Sequence, residues 1–151
     1  MKLPLPPDVE FHEDIGLLVH RPRGLLNRTA LNKIISLIGE LEFTLKKPFN
    51  RFLDTVAPDA VDLNLEYIRR VSLYRRRFYG NRPAIKTAIL ATDSTMAEYS
   101  RLHASITHGS PINVCVFHDR KEAARWLGVP PELLAAKRGD RDQVTKARFP
   151  E

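Results

Sequence analysis

Apolar residues follow two different spacings along this chain, and the spacing changes several times. Short apolar or alternating runs, typical of strands, occupy residues 9–14, 15–24, 51–56, 84–93 and 111–117. Between them, apolar residues recur every three or four positions, as on one face of a helix. These helical segments cover residues 27–47, 60–79, 94–106 and 120–128, and a short further helix is predicted to begin near Pro130.

The alternation of strands and helices predicts crossover connections and therefore a mainly parallel sheet. The first two strands, separated by a turn around Asp14–Gly16, predict an antiparallel hairpin. We thus expect a single α/β domain with a mixed, mostly parallel sheet of about five strands, flanked by about four helices. The domain is placed at residues 9–129, after an extended segment 1–8 and before residues 130–151, a short helix and a charged tail.

Two segments carry specific expectations. The run "PINVCVF" at 111–117 is continuously apolar, which predicts a strand buried on both faces with Cys115 as a small buried side chain. In the helix of residues 60–79, capped by Asp59 or Asp62, the side chains at Ile68, Tyr74 and Phe78 fall in one broad apolar arc.

The same helix contains "RRVSLYRRRF", five arginines within residues 69–78. Arg69, Arg70, Arg76 and Arg77 fall opposite the apolar arc, where they form either a solvated face or a patch for an anionic partner. Arg75 lies within or beside the apolar arc, where it must either extend its charged end to solvent or find a partner. Ser72 also projects toward that arc, so the kinase-like pattern "RRVS" does not predict phosphorylation.

Composition narrows the class of protein. The 151 residues, 43% hydrophobic and 28% charged, fit one globular domain, and the net charge of +6 arises almost wholly from the five arginines of residues 69–78. A nucleic-acid binder usually has a clustered basic face, so nucleic acid stays open as a weak alternative among the partners. One cysteine, no apolar run long enough to cross a membrane and no secretory signal lead us to expect a cytoplasmic protein.

No chemical motif predicts catalysis. The histidines lack the spacing of metal ligands, and neither a nucleophile elbow nor a glycine-rich phosphate loop occurs. We therefore predict no catalytic residue, metal or cofactor. A low-specificity site for ligand binding or interaction remains at the carboxyl ends of the parallel strands, where ligands gather in open α/β sheets. Its residues are Thr55, Asp59, Thr92, Asp93, Ser94 and His118. The alternative is that Asp59, Asp93 and Asp119 simply cap helices.

The chain resembles the SpoIIAA-like family, whose STAS-type fold is related to part of the Sec14-type lipid carriers. The resemblance spans about residues 9–129 and rests on "VEFHEDIGLLVHRPRG", on "RFLDTV" before a long helix, and on "VCVFHDRKEAARWLGV". It implies that Trp126 and Leu127 anchor the core. The family's phosphorylated serine turn has no counterpart here, because the matching segment reads "APDAVDL" and the nearest hydroxyl is Thr55. We therefore predict no phosphorylation site.

These observations lead to three functional hypotheses. The first is a non-catalytic regulatory or scaffold module that binds a protein and forms a homodimer through free sheet edges or helices. The alternative is a carrier or sensor of a small apolar or lipid-like ligand, implied by the Sec14-type relation and by the aromatic residues of the arginine-rich helix. The third is an enzyme with an unrecognised site.

Overall fold

The computed structural model describes residues 4–136. Its strands are β1 (Val9–His12), β2 (Leu17–His20), β3 (Leu25–Asn27), β4 (Asn50–Asp54), β5 (Ala60–Asp62), β6 (Ile85–Leu90) and β7 (Ile112–Phe117). Its helices are α1 (Arg28–Leu45), α2 (Leu65–Phe78), α3 (Ser94–Thr107) and α4 (Arg120–Leu127), followed by a 3₁₀ turn at Pro131–Leu133. The described chain therefore forms the predicted single α/β domain with four helices.

Five strands form the main sheet in the order β1-β2-β4-β6-β7. The β1–β2 pair is antiparallel, which confirms the predicted hairpin, and the other neighbours are parallel. Registers place Leu18, Arg51 and Thr87 side by side on β2, β4 and β6. Because side chains alternate between the two faces of a sheet, these three residues point to the same side.

One prediction about β7 is wrong. The strand was expected to be buried on both faces, but only Ile112 is fully buried, Cys115 is half-buried, and the strand lies at the edge of the sheet. Within residues 4–136, β6 is the only strand that pairs with it. A continuous apolar run indicates a strand that needs covering, but it does not specify whether the cover comes from the same chain.

The sheet separates two apolar layers. On one side α4 packs on the sheet, with Phe52 at the centre and Leu127 in the same cluster. Trp126 is half-buried there, with its ring 5.5 Å from that of Phe117. This packing agrees with the role of core anchor implied for Trp126 and Leu127. Helices α1, α2 and α3 lie on the opposite side of the sheet, where α1 contributes Ile34, Ile38 and Leu41 to a second cluster.

Two features of the segment before α2 differ from expectation. Residues 60–62 form β5, which pairs in parallel with β3, instead of the first turn of the helix. The helix begins at Leu65 and is capped by Asn64, whose side chain accepts a hydrogen bond from the Tyr67 N–H. Asp59 and Asp62 therefore do not cap it. An aspartate near an apolar run indicates a helix start only within several residues, because many positions satisfy the same preference.

The apolar arc predicted for α2 is narrower in the structure. Tyr67 and Ile68 are buried, but Tyr74 and Phe78 are exposed and stack on each other with ring centroids 5.8 Å apart. Their predicted inward orientation is therefore wrong. Both residues lie at the border of the arc, where the position of the neighbouring helix decides which side chains are covered.

Packing continues beyond residue 129. Leu134 is fully buried in the α4-side cluster, and the Arg21 guanidinium donates hydrogen bonds of 2.7 Å to the carbonyls of both Leu133 and Ala135. The segment after α4 is thus tied to β2. Most of the predicted charged tail, residues 137–151, lies outside the described residues.

Among the helices of residues 4–136, each is too short or too polar to cross a membrane.

Candidate ligand cavity and strand-end residues

The predicted strand-end site lies at the carboxyl ends of β4, β6 and β7. These strands are parallel neighbours and therefore end on the same side of the sheet. Two of its polar side chains bind backbone carbonyls there. The Thr55 hydroxyl donates to the Leu90 carbonyl over 2.6 Å, and His118 Nδ1 lies 3.0 Å from the Ala91 carbonyl oxygen, which only a donating N–H can satisfy. These contacts tie the ends of the strands together.

The other strand-end residues have mainly local contacts. Asp93 caps α3 by accepting a hydrogen bond from the Met96 N–H, and Asp119 caps α4 in the same way. Asp59, Thr92 and Ser94 are exposed. Within residues 4–136, Asp59, Asp93 and His118 make no hydrogen bonds with one another. The geometry therefore gives Asp93 and Asp119 capping roles. A ligand at these strand ends stays a prediction.

The most deeply buried acid at this end of the sheet was not among the predicted site residues. Asp54, the last residue of β4, is fully buried and accepts a hydrogen bond of 2.8 Å from Arg120. Its other oxygen accepts from the backbone N–H groups of Val56 and Ala57. Asp54 therefore holds the turn after β4 and attaches it to the start of α4. An acid inside the apolar run "RFLDTV" was the available signal.

The four arginines of the proposed anionic patch, Arg69, Arg70, Arg76 and Arg77, are all exposed on α2. Arg76 donates to the carbonyls of Ile106 and His108, at 3.0 and 2.5 Å, and so joins the end of α2 to the end of α3. Within the described residues, the side chains of the other three have no hydrogen bond or ion pair. They are consistent with a solvated face, and an anionic partner for them stays a prediction.

Arg75 finds a partner, which is one of the two outcomes expected from its place beside the apolar arc. Its Nη1 lies 3.1 Å from Nε2 of His103 on α3, and the other ring nitrogen, Nδ1, lies 2.7 Å from Ser72 Oγ. Ser72 is fully buried and donates to the Ile68 carbonyl. Because Arg75 only donates, Nε2 must accept, so Nδ1 carries the proton and donates to Ser72.

Burial and the charge of Arg75 lower the pKa of His103 to about 3, so its imidazole stays neutral near pH 7. Burial, together with the charge of Arg51, also lowers the pKa of Arg75 to about 10, which still leaves the guanidinium charged at neutral pH. Neither His103 nor its link to Arg75 was predicted. Residues 72 and 103 lie on different helices, so no local spacing relates them.

A second buried cluster surrounds Arg51. This side chain, only 3% exposed, donates through Nη2 to Glu42 of α1 and, over 3.1 Å, to the hydroxyl of Tyr79. Tyr79 in turn donates to the second Glu42 oxygen over 2.7 Å. The Arg51 guanidinium also lies 4.9 Å from the centroid of the Phe49 ring. Burial raises the pKa of Tyr79, which keeps its hydroxyl protonated and able to donate.

These polar clusters border a cavity of about 110 Å³ between the sheet and helices α1, α2 and α3. Aliphatic side chains from all these elements line most of it, including Leu26, Ile34, Leu63, Ile68, Ile89 and Met96. Its polar lining includes His20, Arg51, Arg75, Thr87 and His103. A mostly apolar cavity with a few convergent polar groups is the usual form of a small-molecule site.

Metal binding has no geometric basis in the described part of the chain. Among residues 4–136, no three His, Cys, Asp or Glu side chains are grouped so that they could hold an ion. The two buried polar clusters instead contain Arg51 and Arg75, whose guanidinium groups are positively charged hydrogen-bond donors.

The comparisons with known proteins identify the fold. No family model matches the sequence, and no curated protein matches it either. The structure is similar to that of an uncharacterised protein of the DUF3478 family from Shewanella loihica PV-4, described as having a SpoIIAA-like fold. The two are 17% identical, the match covers 79% of this chain and 90% of the other, and the TM-score is 0.51. As the resemblance in the sequence implied, this chain has a SpoIIAA-like fold.

Proposed function

We propose that this protein is a non-catalytic regulatory or scaffold module that self-associates through the outer edge of β7. The observation that carries the proposal is a mismatch between the sequence of this strand and its position. Residues 112–117, "INVCVF", contain no charge and no proline, as expected of a central strand, yet β7 lies at the edge of the sheet.

The backbone of β7 offers hydrogen-bonding groups at that edge. The carbonyls of Pro111 and Phe117 accept from Ile85 and Ala91, beside β6. Since backbone groups of successive residues point to alternate sides of a strand, the groups of Val114 and Val116 point away from β6. Within residues 4–136, the backbone N–H and C=O groups of these two valines have no partner outside the ladder with β6.

The opposite edge of the sheet differs from β7. Strand β1 has four residues, two of which are Glu10 and His12, and prolines precede it at positions 4, 6 and 7. Short length, charge and neighbouring prolines are the usual means by which proteins prevent unwanted pairing of an edge. Protection of one edge and not the other supports pairing at β7 as a property of this molecule.

A second copy of the chain is the partner that this edge fits best. Two β7 strands placed antiparallel across a twofold axis would pair the Val114 and Val116 backbones with each other and join the two sheets. The half-buried side chains of β7 would then become those of a central strand. We place this homodimer in the cytoplasm, since Cys115 is the only cysteine and the chain has no internal disulfide.

The test is the mass in solution of wild type and two variants, measured by light scattering and sedimentation across a wide range of concentration. Wild type should have twice the monomer mass of 17.3 kDa. Val114→Pro removes an outward N–H that β6 does not use, a position where edge strands tolerate proline, and should give a monomer. Val114→Thr keeps both the N–H and the branched shape, and should remain a dimer.

A monomeric wild type at every concentration would overturn the proposal. It would also fail if Val114→Pro formed the same dimer as wild type, since the interface would then lie elsewhere. Thermal unfolding of each variant shows whether loss of the dimer reflects loss of the fold.

We propose, as a second candidate, a carrier or sensor of a small apolar ligand. The cavity of about 110 Å³ beneath α1, α2 and α3 favours it. An apolar cavity of about 150 Å³ is large enough for benzene in a protein whose core is otherwise packed. Native mass spectrometry of protein purified from cells, together with binding of benzene itself, tests this candidate. No adduct and no benzene binding would exclude it.

A further inference from the structure

The polar end of the cavity carries more positive than negative charge. The guanidinium groups of Arg51 and Arg75 face one carboxylate, that of Glu42, while His103 is neutral and Tyr79 protonated. His20 also lines the cavity, and its Nε2 lies 3.5 Å from a carboxylate oxygen of Asp8. Buried charge without a counter-charge is unfavourable, and a ligand anion would relieve it.

Several donors at this end also lack partners. In the described residues, Arg51 Nε and Nη1 and the Thr87 hydroxyl are buried without a hydrogen bond. Arg51 and Thr87 are 3% and 4% exposed, and they are paired in register on β4 and β6. Neighbouring donors on a rigid sheet are suited to one carboxylate, since a free N–H of Arg51 and the Thr87 hydroxyl can each donate to one of its two oxygens.

The size and lining of the cavity define the rest of the ligand. A cavity of about 110 Å³ approaches the size that holds benzene, so its ligand should have about six non-hydrogen atoms, as benzene has, and aliphatic side chains line most of it. We propose that it binds a monocarboxylate of about three to five carbons, with the carboxylate at Arg51, Arg75 and Thr87 and the alkyl group among the aliphatic side chains. The inference rests on the second proposed function and adds the chemical class of its ligand.

A route into the cavity passes Arg75. This residue, with Ile35 and Ile38, borders both the cavity and an outer groove between α1 and α2, which Phe43, Tyr74 and Phe78 also line. A rotation of the Arg75 side chain would therefore open the cavity toward the groove. Once a ligand is bound, the Arg75 side chain would return to its original position, where its guanidinium would contact the carboxylate of the ligand.

The binding experiment uses butyrate as the probe, measured by calorimetry and by the NMR signal of its labelled carboxyl carbon. Butyramide has the same shape without the charge, and acetate has the charge without the chain. Butyrate should bind saturably with a stoichiometry of one, and both controls should bind at least tenfold more weakly. No saturable binding of butyrate, or equal binding of either control, would overturn the proposal.

Three variants locate the site. Thr87→Val keeps the shape of the side chain and removes one donor, which should weaken butyrate binding about fivefold. Arg75→Met should weaken it more than tenfold, whereas Arg76→Met, which alters the exposed neighbour on α2, should leave it unchanged. Unchanged affinity in both Thr87→Val and Arg75→Met would place the binding elsewhere and overturn the assignment.

The results with the two probes distinguish the anionic ligand from the small-ligand function on which it rests. If benzene binds and butyrate does not, the small-ligand candidate stands and the anionic ligand is wrong. Failure of both probes excludes the cavity as a ligand site and does not affect self-association, which the mass of Val114→Pro tests independently.

Discussion

Arg75 and His103 form a hydrogen bond of 3.1 Å that sets the protonation of the buried network between α2 and α3. The arginine can only donate, so His103 accepts at Nε2 and donates at Nδ1 to Ser72, which donates in turn to the Ile68 carbonyl. Each proton in this series has one acceptor. The network is therefore fully satisfied only while the imidazole is neutral.

The first prediction concerns pH. His103 has a folded pKa of about 3, below its unfolded value of about 6.5, so its contribution to stability is complete above pH 6.5 and decreases as the pH falls toward 3. The free energy of unfolding should decrease by about 2 kcal/mol between pH 7 and pH 5 from this group. Urea unfolding at several pH values measures the slope.

His103→Gln should abolish this part of the slope, and His108→Gln, at the exposed end of α3, should retain it. Asp8 does not contribute to the slope between pH 7 and pH 5. Its interaction with His20 lowers its pKa from the usual value of 3.8, so protonation of Asp8 changes the stability only at lower pH. The same slope in His103→Gln and wild type would show that His103 titrates normally in the folded state.

The second prediction concerns Ser72. Ser72→Ala leaves the Nδ1–H of His103 buried without an acceptor, so we expect a loss of about 2 kcal/mol in the free energy of unfolding. Ser105→Ala, an exposed change on α3, is the matched control and should cost less than about 0.5 kcal/mol. Equal costs for the two serines in urea denaturation would contradict the network.

The third prediction concerns Glu42, the one carboxylate beside Arg51 and Arg75. Glu42→Gln keeps the size and an acceptor oxygen but removes the charge, so the buried guanidinium of Arg51 and the half-buried side chain of Arg75 lose their counter-charge. We expect a loss of about 3 kcal/mol, measured by chemical unfolding. Glu40→Gln, on the exposed face of the same helix, should be nearly neutral. A neutral effect at both positions would mean that solvent screens the Arg51 cluster.

The fourth prediction concerns the end of the described chain. Leu134 is fully buried in the apolar cluster on the α4 side, so Leu134→Ala should reduce stability by about 2–5 kcal/mol. Leu73→Ala, which alters a half-exposed leucine on α2, should cost much less. Thermal unfolding of the two variants decides whether the segment after α4 belongs to the folded domain, and similar melting temperatures would indicate that it does not.

The sequence determined which helices and strands of the main sheet form, but it did not determine where each of them begins. Spacings of two and of three or four residues reflect contacts within one segment, and they predicted the hairpin, the parallel strands and the four helices. The inward direction of Ser72 and Arg75 also followed from the angle between residues of one helix. The start of α2 at Leu65 did not, because Asp59, Asp62 and Asn64 are all suitable caps and only the pairing of β5 with β3 excludes the first two.

What the tertiary structure decided is which segments meet. The strand order placed the apolar β7 at an edge, and the packing of α2 on α3 brought His103 to Arg75 across 28 positions of sequence. Arg51 and Thr87 became neighbours through the register of β4 and β6. A periodic pattern states that a face must be covered, but many partners satisfy that need equally. Only the folded arrangement selects one, and in this protein that selection created both the cavity and the open edge.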